Sequence, residues 1–203
     1  MLAPFLVFVN TIGYGVGMND RLDRQSWLDA GLEQLAGHGP SGLRIVAIAQ
    51  KLGVTKGSFY WHFRNQNEYL ASLLQEWERS HTQQIIDDLE RTGGSPAVKL
   101  RRLMLVTVAA DPRLSLATRA WAHSDTMVGK AVKRVDKKRL AYVAALIEAL
   151  GWPQEDATTL ARWSYCALVG HFGLGGSALT EQQIDLILGT IKFRPLRQRA
   201  TSE

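Results

Sequence analysis

The short stretch from Lys56 to His62 combines a cation, a hydroxyl group and three rings with hydrogen-bonding edges. If it is helical, Phe59 and Phe63 are four positions apart and point inward, which leaves the other side chains outside. Such a surface suits a DNA groove, because cations and hydroxyls meet phosphates and a glycine permits close backbone approach. We therefore predict DNA contacts from Arg44, Thr55, Lys56, Gly57, Ser58, Tyr60, Trp61, His62 and Asn65.

Two short helices must position this surface. Apolar residues from Ile45 to Leu52 recur at the spacing of one helix face, and Gly53 supplies a helix C-terminus. Thr55 is a candidate N-cap for the second helix, with Val54 and Phe59 spaced as a hydrophobic staple. The pattern predicts a helix-turn-helix, and it equally fits an ordinary helical hairpin within a bundle.

Groups that could carry catalysis or bind a metal are sparse. The five histidines are scattered, and no metal-ligand spacing, nucleophile motif or phosphate-binding loop is present. His123 and Asp125 could act as an acid and a base, but a satisfied polar pair at a helix end explains them better. The single cysteine, Cys166, excludes an internal disulfide, fits a reducing cytoplasm and is expected to be a small buried residue. We predict no catalytic residue, no metal site and no cofactor.

The charge distribution limits the nucleic-acid hypothesis. The net charge is +5, yet Met18 to Ser80 contains seven acidic and seven basic residues, so attraction to DNA must depend on local placement. The excess lies further on, where Lys130 to Arg139 holds six cations in ten residues. This run could attract an anionic effector or DNA, although a solvated helix face is the simpler interpretation.

The first 17 residues differ in character from the rest of the chain. Their apolar run, Leu2 to Val9, is far shorter than the roughly 20 residues that span a bilayer, so we expect no membrane segment. We expect translation to begin at Met18, and the alternative is an N-terminal arm that packs on a dimer or on DNA.

The remaining periodicity predicts an all-α fold. Expected helices cover residues 20–37, 65–91, 97–109, 112–123, 126–150, 154–172 and 181–191, in addition to the two short ones. Asn65 and Glu68 form a capping-box pattern at the start of the longest early helix. We divide the chain into a leader or arm (1–17), a three-helix helix-turn-helix domain (18–64), a connecting helix (65–91) and a larger helical domain (92–203).

Residues 22–74, with IA-x-x-LGV-T-KGSFYWHF-x-N-x-x-E-Y-L at their centre, resemble the DNA-binding domain of the tetracycline-repressor (TetR/AcrR) family of bacterial regulators. The chain departs from the family pattern at two positions, with Arg44 where threonine is usual and Gln66 where lysine is usual. Ser41 is a possible substitute N-cap. R-A-W-A at Arg119, V-D-x-x-R at Val135 and a G-W-P break give a weaker resemblance in the larger domain.

The resemblance implies a homodimeric transcriptional regulator, released from a palindromic double-stranded DNA operator by a small hydrophobic effector. It implies an apolar effector pocket, for which we name Met104, Val108, Trp121, His123, Met127, Tyr142, Trp163 and Cys166. It also implies that the last two helices pair across a two-fold axis, through Ala157, Ala161, Ser164, Leu168, His171, Ile184, Ile187, Leu188 and Ile191. A helical enzyme would need convergent titratable groups, and a helical small-molecule-binding or adaptor protein without specific DNA binding is the other alternative.

Overall fold

The computed structural model describes residues 23–192, and within that range every regular element is a helix. The expectations for residues 1–17 and Met18 lie outside the described residues. The α-helices, in chain order, are α1 Arg24–His38, α2 Ile45–Lys51, α3 Lys56–Phe59, α4 Gln66–Glu78, α5 Gln84–Thr92, α6 Pro96–Ala109, α7 Arg113–Ala122, α8 Thr126–Glu148, α9 Gln154–Gly173 and α10 Glu181–Lys192. The all-α prediction is confirmed.

Side-chain caps explain where several helices begin. Asp23 accepts from the Ser26 backbone N–H at 2.8 Å, and Asn65 does the same for Glu68 at 2.9 Å. The Glu68 carboxylate accepts from the backbone N–H of Arg64, one residue before the N-cap, so the first bond of the predicted capping box forms and the reciprocal bond is shifted by one residue. Asp125 caps α8 through the backbone N–H groups of Met127 and Val128, which confirms its structural interpretation at a helix end.

The start of α2 differs from the expectation. Gly39–Gly42 form a 3₁₀ turn between α1 and α2. The Ser41 hydroxyl donates to the His38 carbonyl oxygen within that turn, so it does not replace the missing threonine as a cap. Arg44 occupies the N-cap position without a side-chain hydrogen bond, and α2 therefore begins uncapped by any side chain.

The predicted connecting helix is continuous but not uniform. Between α4 and α5, Arg79–Gln83 form one turn of π-helix, in which the hydrogen bonds skip five residues instead of four. The backbone on both sides of this turn remains α-helical, so α4, the π-turn and α5 succeed one another without a break. We call α4, the π-turn and α5 together the connecting rod. Gly93, at a φ of 68°, ends it.

Two hydrophobic cores hold the helices together. The first joins α1 to α4 with α7 and the N-terminal part of α8, and Trp121, Val128 and Val135 belong to it. The second lies among α6, the C-terminal part of α8, α9 and α10. The first core therefore contains residues that precede the connecting helix in the chain and residues that follow it.

The cores correct part of the sequence interpretation. Val108 and Trp121, expected in the effector pocket, are buried core residues. Five of the residues expected at a dimer interface are also buried within their own chain, because they lie on the inner faces of α9 and α10. They are Ala157, Ala161, Ile184, Leu188 and Ile191. None of the helices between residues 23 and 192 is both long enough and apolar enough to cross a membrane.

Candidate functional site

An aromatic cluster fixes the position of α3. Phe59 is fully buried and packs edge-on against Trp27 of α1 and Tyr69 of α4, with ring centroids 5.4 and 5.5 Å apart. Phe63 stacks on Phe59 at 5.2 Å, and the Arg24 guanidinium covers the Phe63 ring at 4.7 Å. Helices α1 and α4 therefore hold the inner side of α3, as the i, i+4 spacing of the two phenylalanines predicted.

Helix α3 and the residues on either side of it present what we call the reading surface, defined as Thr55, Lys56, Tyr60, Trp61 and His62; of these, Lys56 lies within the helix itself. Lys56 and Thr55 are exposed, and the Trp61 side chain is 88% exposed. Tyr60 is 55% exposed, while its ring also contacts Phe59 edge-on at 5.3 Å. Tyr60 and Trp61 thus leave two large rings open to solvent near the exposed Lys56.

Several polar groups next to the reading surface already form hydrogen bonds or ion pairs within the chain. The Ser58 hydroxyl donates to the Thr55 carbonyl oxygen at 2.8 Å, and the Asn65 side-chain oxygen is occupied by the α4 cap. Lys51 forms an ion pair with Glu33 of α1, so its charge is already balanced. Thr55 occupies the N-cap position of α3 without a side-chain cap bond, and Arg44 is exposed at the start of α2. All nine predicted DNA-contacting residues lie within this one end of the fold.

A second candidate site lies in the other half of the molecule. A mostly apolar cavity of about 510 Å³ lies among the π-turn, α5, α6, α7, α8, α9 and α10. This volume falls in the range of about 300–1,000 Å³ that is usual for sites that bind small molecules. Residues whose side chains form the apolar wall include Ile85, Leu103, Met104, Val143, Leu160 and Leu168.

One end of the cavity is polar. Arg119 pairs with both carboxylate oxygens of Asp136, at 2.6 and 3.1 Å, and also donates to the Tyr165 hydroxyl at 2.6 Å. Tyr165 donates to Asp136 at 2.7 Å, and burial raises the pKa of its hydroxyl, which keeps the proton in place. Arg139 completes this group by donating to Tyr165 at 3.3 Å. Arg119, Arg139 and Tyr165 all border the cavity.

Three of the eight residues predicted for the pocket border this cavity: Met104, Tyr142 and Trp163. His123 and Met127 are exposed elsewhere, near the turn between α7 and α8. Cys166 is exposed on α9 rather than buried, so that expectation is wrong. The cavity also takes Ser164, Leu168, His171, Ile187 and Ile191, which the sequence interpretation had assigned to a dimer interface.

The sequence interpretation missed the polar end of the cavity, although the signal was present. The motifs at Arg119 and Val135 contain three of its four members, Arg119, Asp136 and Arg139. Helical spacing could not show that α7, α8 and α9 bring them together with Tyr165. The six cations of residues 130–139 do not share one environment in the structure. Arg134 and Lys138 form ion pairs with Glu78 of α4. Lys130, Lys133 and Lys137 are exposed.

The buried aromatic cluster, the exposed reading surface and the helical body with its cavity together define a helix-turn-helix protein whose second half encloses a mostly apolar cavity. Residues 28–73 match the family model described as bacterial regulatory proteins of the tetR family. The chain is 43% identical to the class D tetracycline repressor of Escherichia coli over 56 residues, which are 28% of this chain and 26% of that protein. It is 29% identical to the regulator AcrR of Shigella flexneri over 115 residues, which are 53% of this chain and 51% of AcrR.

Solved structures extend the likeness to the whole fold. A TetR transcriptional regulator from Legionella pneumophila superposes with a TM-score of 0.69 at 14% identity, covering 86% of this chain and 97% of that one. At this identity the likeness concerns the fold alone. The chain spans about a quarter of the class D repressor and about half of AcrR in the sequence matches. Residues 28–73 therefore form a segment of the tetR family type, and the described helices beyond them share the fold of the Legionella pneumophila regulator.

Proposed function

We propose that the protein is a DNA-binding transcriptional regulator that acts as a homodimeric repressor in the cytoplasm. The observation that carries the proposal is the reading surface, where Lys56, Tyr60 and Trp61 are exposed on α3 and the turn that follows it, above the buried Phe59 and Phe63. An exposed helical turn of this kind can enter a major groove, with the lysine and hydroxyl groups against phosphates. Arg44, Ser58, His62 and Asn65 would lie beside it.

The cavity supports the second part of the proposal, which is control by a small molecule. It is of suitable size and is mostly apolar, and its wall includes Thr82, Ile85 and Ile86 of the π-turn and α5. The same continuous rod carries α4, whose Tyr69 packs on Phe59 beneath the reading surface. A ligand that favours one placement of the rod would shift the position of α3, and such coupling typically amounts to about 1–3 kcal/mol. We propose that the effector lowers DNA affinity.

The outer faces of α9 and α10 support dimerisation. Leu186 of α10 is 73% exposed, and Trp163 of α9, which also borders the cavity, is 76% exposed. Large exposed apolar side chains are the usual material of an interface between copies. A two-fold dimer would present two reading surfaces, and the operator would then be a palindrome. We retain the predicted division into a DNA-binding part, a connecting rod and an effector-binding part as part of this proposal.

The proposal is tested by selecting duplexes from a random DNA pool with the purified full-length chain across a series of salt concentrations. We expect enrichment of a palindrome and a steep loss of binding with salt, because phosphate contacts release counterions. Tyr60→Phe and Trp61→Ala should reduce binding to the selected site, with Lys137→Ala on the exposed face of α8 as the control. If no sequence is enriched, the chain is an adaptor or a ligand-binding protein without specific DNA recognition.

A further inference from the structure

The two guanidinium groups at the polar end of the cavity differ in how their charges are balanced. Arg119 is neutralised by the two-pronged contact with Asp136. Arg139 lies between Tyr165, Thr82 and the π-turn backbone. It donates to the Thr82 hydroxyl at 3.0 Å, to the His81 carbonyl oxygen at 2.9 Å and to the Tyr165 hydroxyl at 3.3 Å.

All three acceptors of Arg139 are neutral, and among residues 23–192 no carboxylate forms an ion pair with it. Its guanidinium group is half-buried and also lies 6.0 Å from the centre of the Trp77 ring. A partly desolvated cation without a counter-ion is unfavourable, and its attraction for an anion is stronger beside an apolar wall than in water. Arg139 therefore lacks the anion that Arg119 already has.

The other charged groups of the cavity wall do not supply this anion. Asp111 borders the cavity, but its carboxylate is held by Arg113 through contacts of 2.6 to 3.1 Å. Arg113 keeps the pKa of the Asp111 carboxyl below its usual value, so the pair stays ionised and neutral in sum. The remaining wall beyond Arg139 is predominantly apolar, formed by residues such as Leu103, Met104 and Val143.

We propose that the cavity binds an amphipathic anion, with its acidic group on Arg139 and its apolar body along α6, α8 and α9. This inference rests on the effector site proposed above and names the class of molecule that the site takes. A guanidinium group binds a carboxylate through charge-assisted hydrogen bonds, and the apolar wall accepts a hydrocarbon chain. A neutral or cationic molecule of the same shape leaves Arg139 without a counter-ion.

The position of Arg139 also gives the anion a route to the rest of the molecule. Two of its three acceptors, Thr82 and the His81 carbonyl oxygen, belong to the π-turn. An anion that draws the guanidinium group into the cavity competes with both of these bonds. The π-turn, which connects α4 to α5, then loses the hydrogen bonds that Arg139 of α8 now donates to it.

Three ligands of equal chain length test the class of effector. Octanoate, 1-octanol and octyltrimethylammonium are titrated into the full-length protein by calorimetry at neutral pH, without DNA. We expect octanoate to bind about tenfold or more tightly than either of the others, which corresponds to about 1.4 kcal/mol or more. Equal or weaker binding of octanoate, or no binding of any of the three at millimolar concentration, overturns the proposal.

Two variants locate the anion. Arg139→Gln should lower octanoate affinity to about that of 1-octanol and leave 1-octanol binding within about twofold of the wild type. Lys133→Gln, which removes the same charge from the exposed face of the same helix, should change neither value. Circular dichroism confirms that each variant is folded, and the wild-type ligand series remains decisive if Arg139→Gln does not fold. Unchanged octanoate binding by folded Arg139→Gln overturns the assignment.

This test separates the inference from the proposed function. The titrations contain no DNA, so a chain that prefers octanoate but selects no operator defeats only the regulator proposal. A chain that binds a palindrome but shows no preference for the anion defeats only the effector class.

Discussion

The Tyr69 hydroxyl donates a hydrogen bond of 2.9 Å to the Trp27 carbonyl oxygen, deep between α4 and α1. Both side chains are fully buried, and burial raises the pKa of the Tyr69 hydroxyl. The same two rings enclose Phe59, so this bond joins the connecting rod to the base of the reading surface. Gly31 makes the close approach possible, because a Cβ there would lie 1.9 Å from the Tyr69 hydroxyl oxygen.

Gly31→Ala should therefore destabilise the fold by about 1–3 kcal/mol, although alanine is the better helix former. Gly37→Ala is the control in the same helix, since nothing lies within 4 Å of its added Cβ, and it should be neutral or slightly stabilising. Urea unfolding measures both. The combination with Tyr69→Phe, which removes the clashing oxygen, should cost at least about 0.5 kcal/mol less than the sum of the single changes. Simple additivity would show that the clash is relieved elsewhere.

The cap of α1 predicts a pH dependence. The backbone N–H of Ser26, followed by its hydroxyl group, lowers the pKa of the Asp23 carboxyl in the folded chain. The stability that this cap contributes is present above the unfolded pKa of about 3.9 and is lost as pH falls through the lowered folded value. Asp23→Ala should cost about 0.5–2 kcal/mol at pH 7 and progressively less in acid. Asp23→Asn keeps a capping oxygen and cannot titrate, so its stability relative to the alanine variant should not fall at low pH.

Lys56 should contribute one phosphate contact to operator binding. We expect Lys56→Ala to weaken binding to all sequences similarly and to reduce the slope of log affinity against log salt by about 1. Fluorescence anisotropy with the selected duplex at several salt concentrations measures the slope. Lys51→Ala is the matched comparison, because Lys51 is paired with Glu33 and should change the slope less. Equal slopes for wild type and Lys56→Ala would remove Lys56 from the interface.

The proposed dimer depends on exposed apolar side chains of α9 and α10. Leu186→Glu should convert the dimer into a monomer, because an interface of usual size buries about 800 Å² on each partner and a charge at its centre has no counter-ion. Light scattering coupled to size exclusion measures the mass. Val98→Glu places the same charge on an exposed position at the start of α6 and should leave the mass unchanged. A dimer that survives Leu186→Glu would place the interface elsewhere.

Local features were predictable from the sequence because short-range chemistry determines them. Phe59 and Phe63 define the inner side of α3, and Asn65, Ser95 and Asp125 mark helix starts by residue type. Assignment to core, pocket or interface was not predictable. An apolar face on α9 or α10 looks the same whether it packs on its own chain or on a second one, which is why the sequence pattern suggests a dimer interface for Ala161 and Ile184, which their own chain buries.

The polar end of the cavity shows the other limit. Arg119, Asp136 and Tyr165 lie on three different helices, so their meeting depends on how α7, α8 and α9 pack. A run of cations along one helix likewise does not reveal which of them meets a carboxylate. Arg134 forms an ion pair with Glu78, whereas Arg139 donates to a carbonyl oxygen of the π-turn. This difference in partner follows from the positions of α4 and the π-turn.

The π-turn at Arg79–Gln83 sets the direction in which the side chains of α5 point relative to those of α4. Each residue of an α-helix advances the chain by about 1.5 Å and rotates it by about 100°, so one extra residue in a single turn changes the phase of everything beyond it. Tyr69, Leu73 and Trp77 face the first core on one side of the turn, while Ile85 and Ile86 face the cavity on the other. Loss of a single codon here would turn the cavity wall away from its present partners without altering any residue of either core.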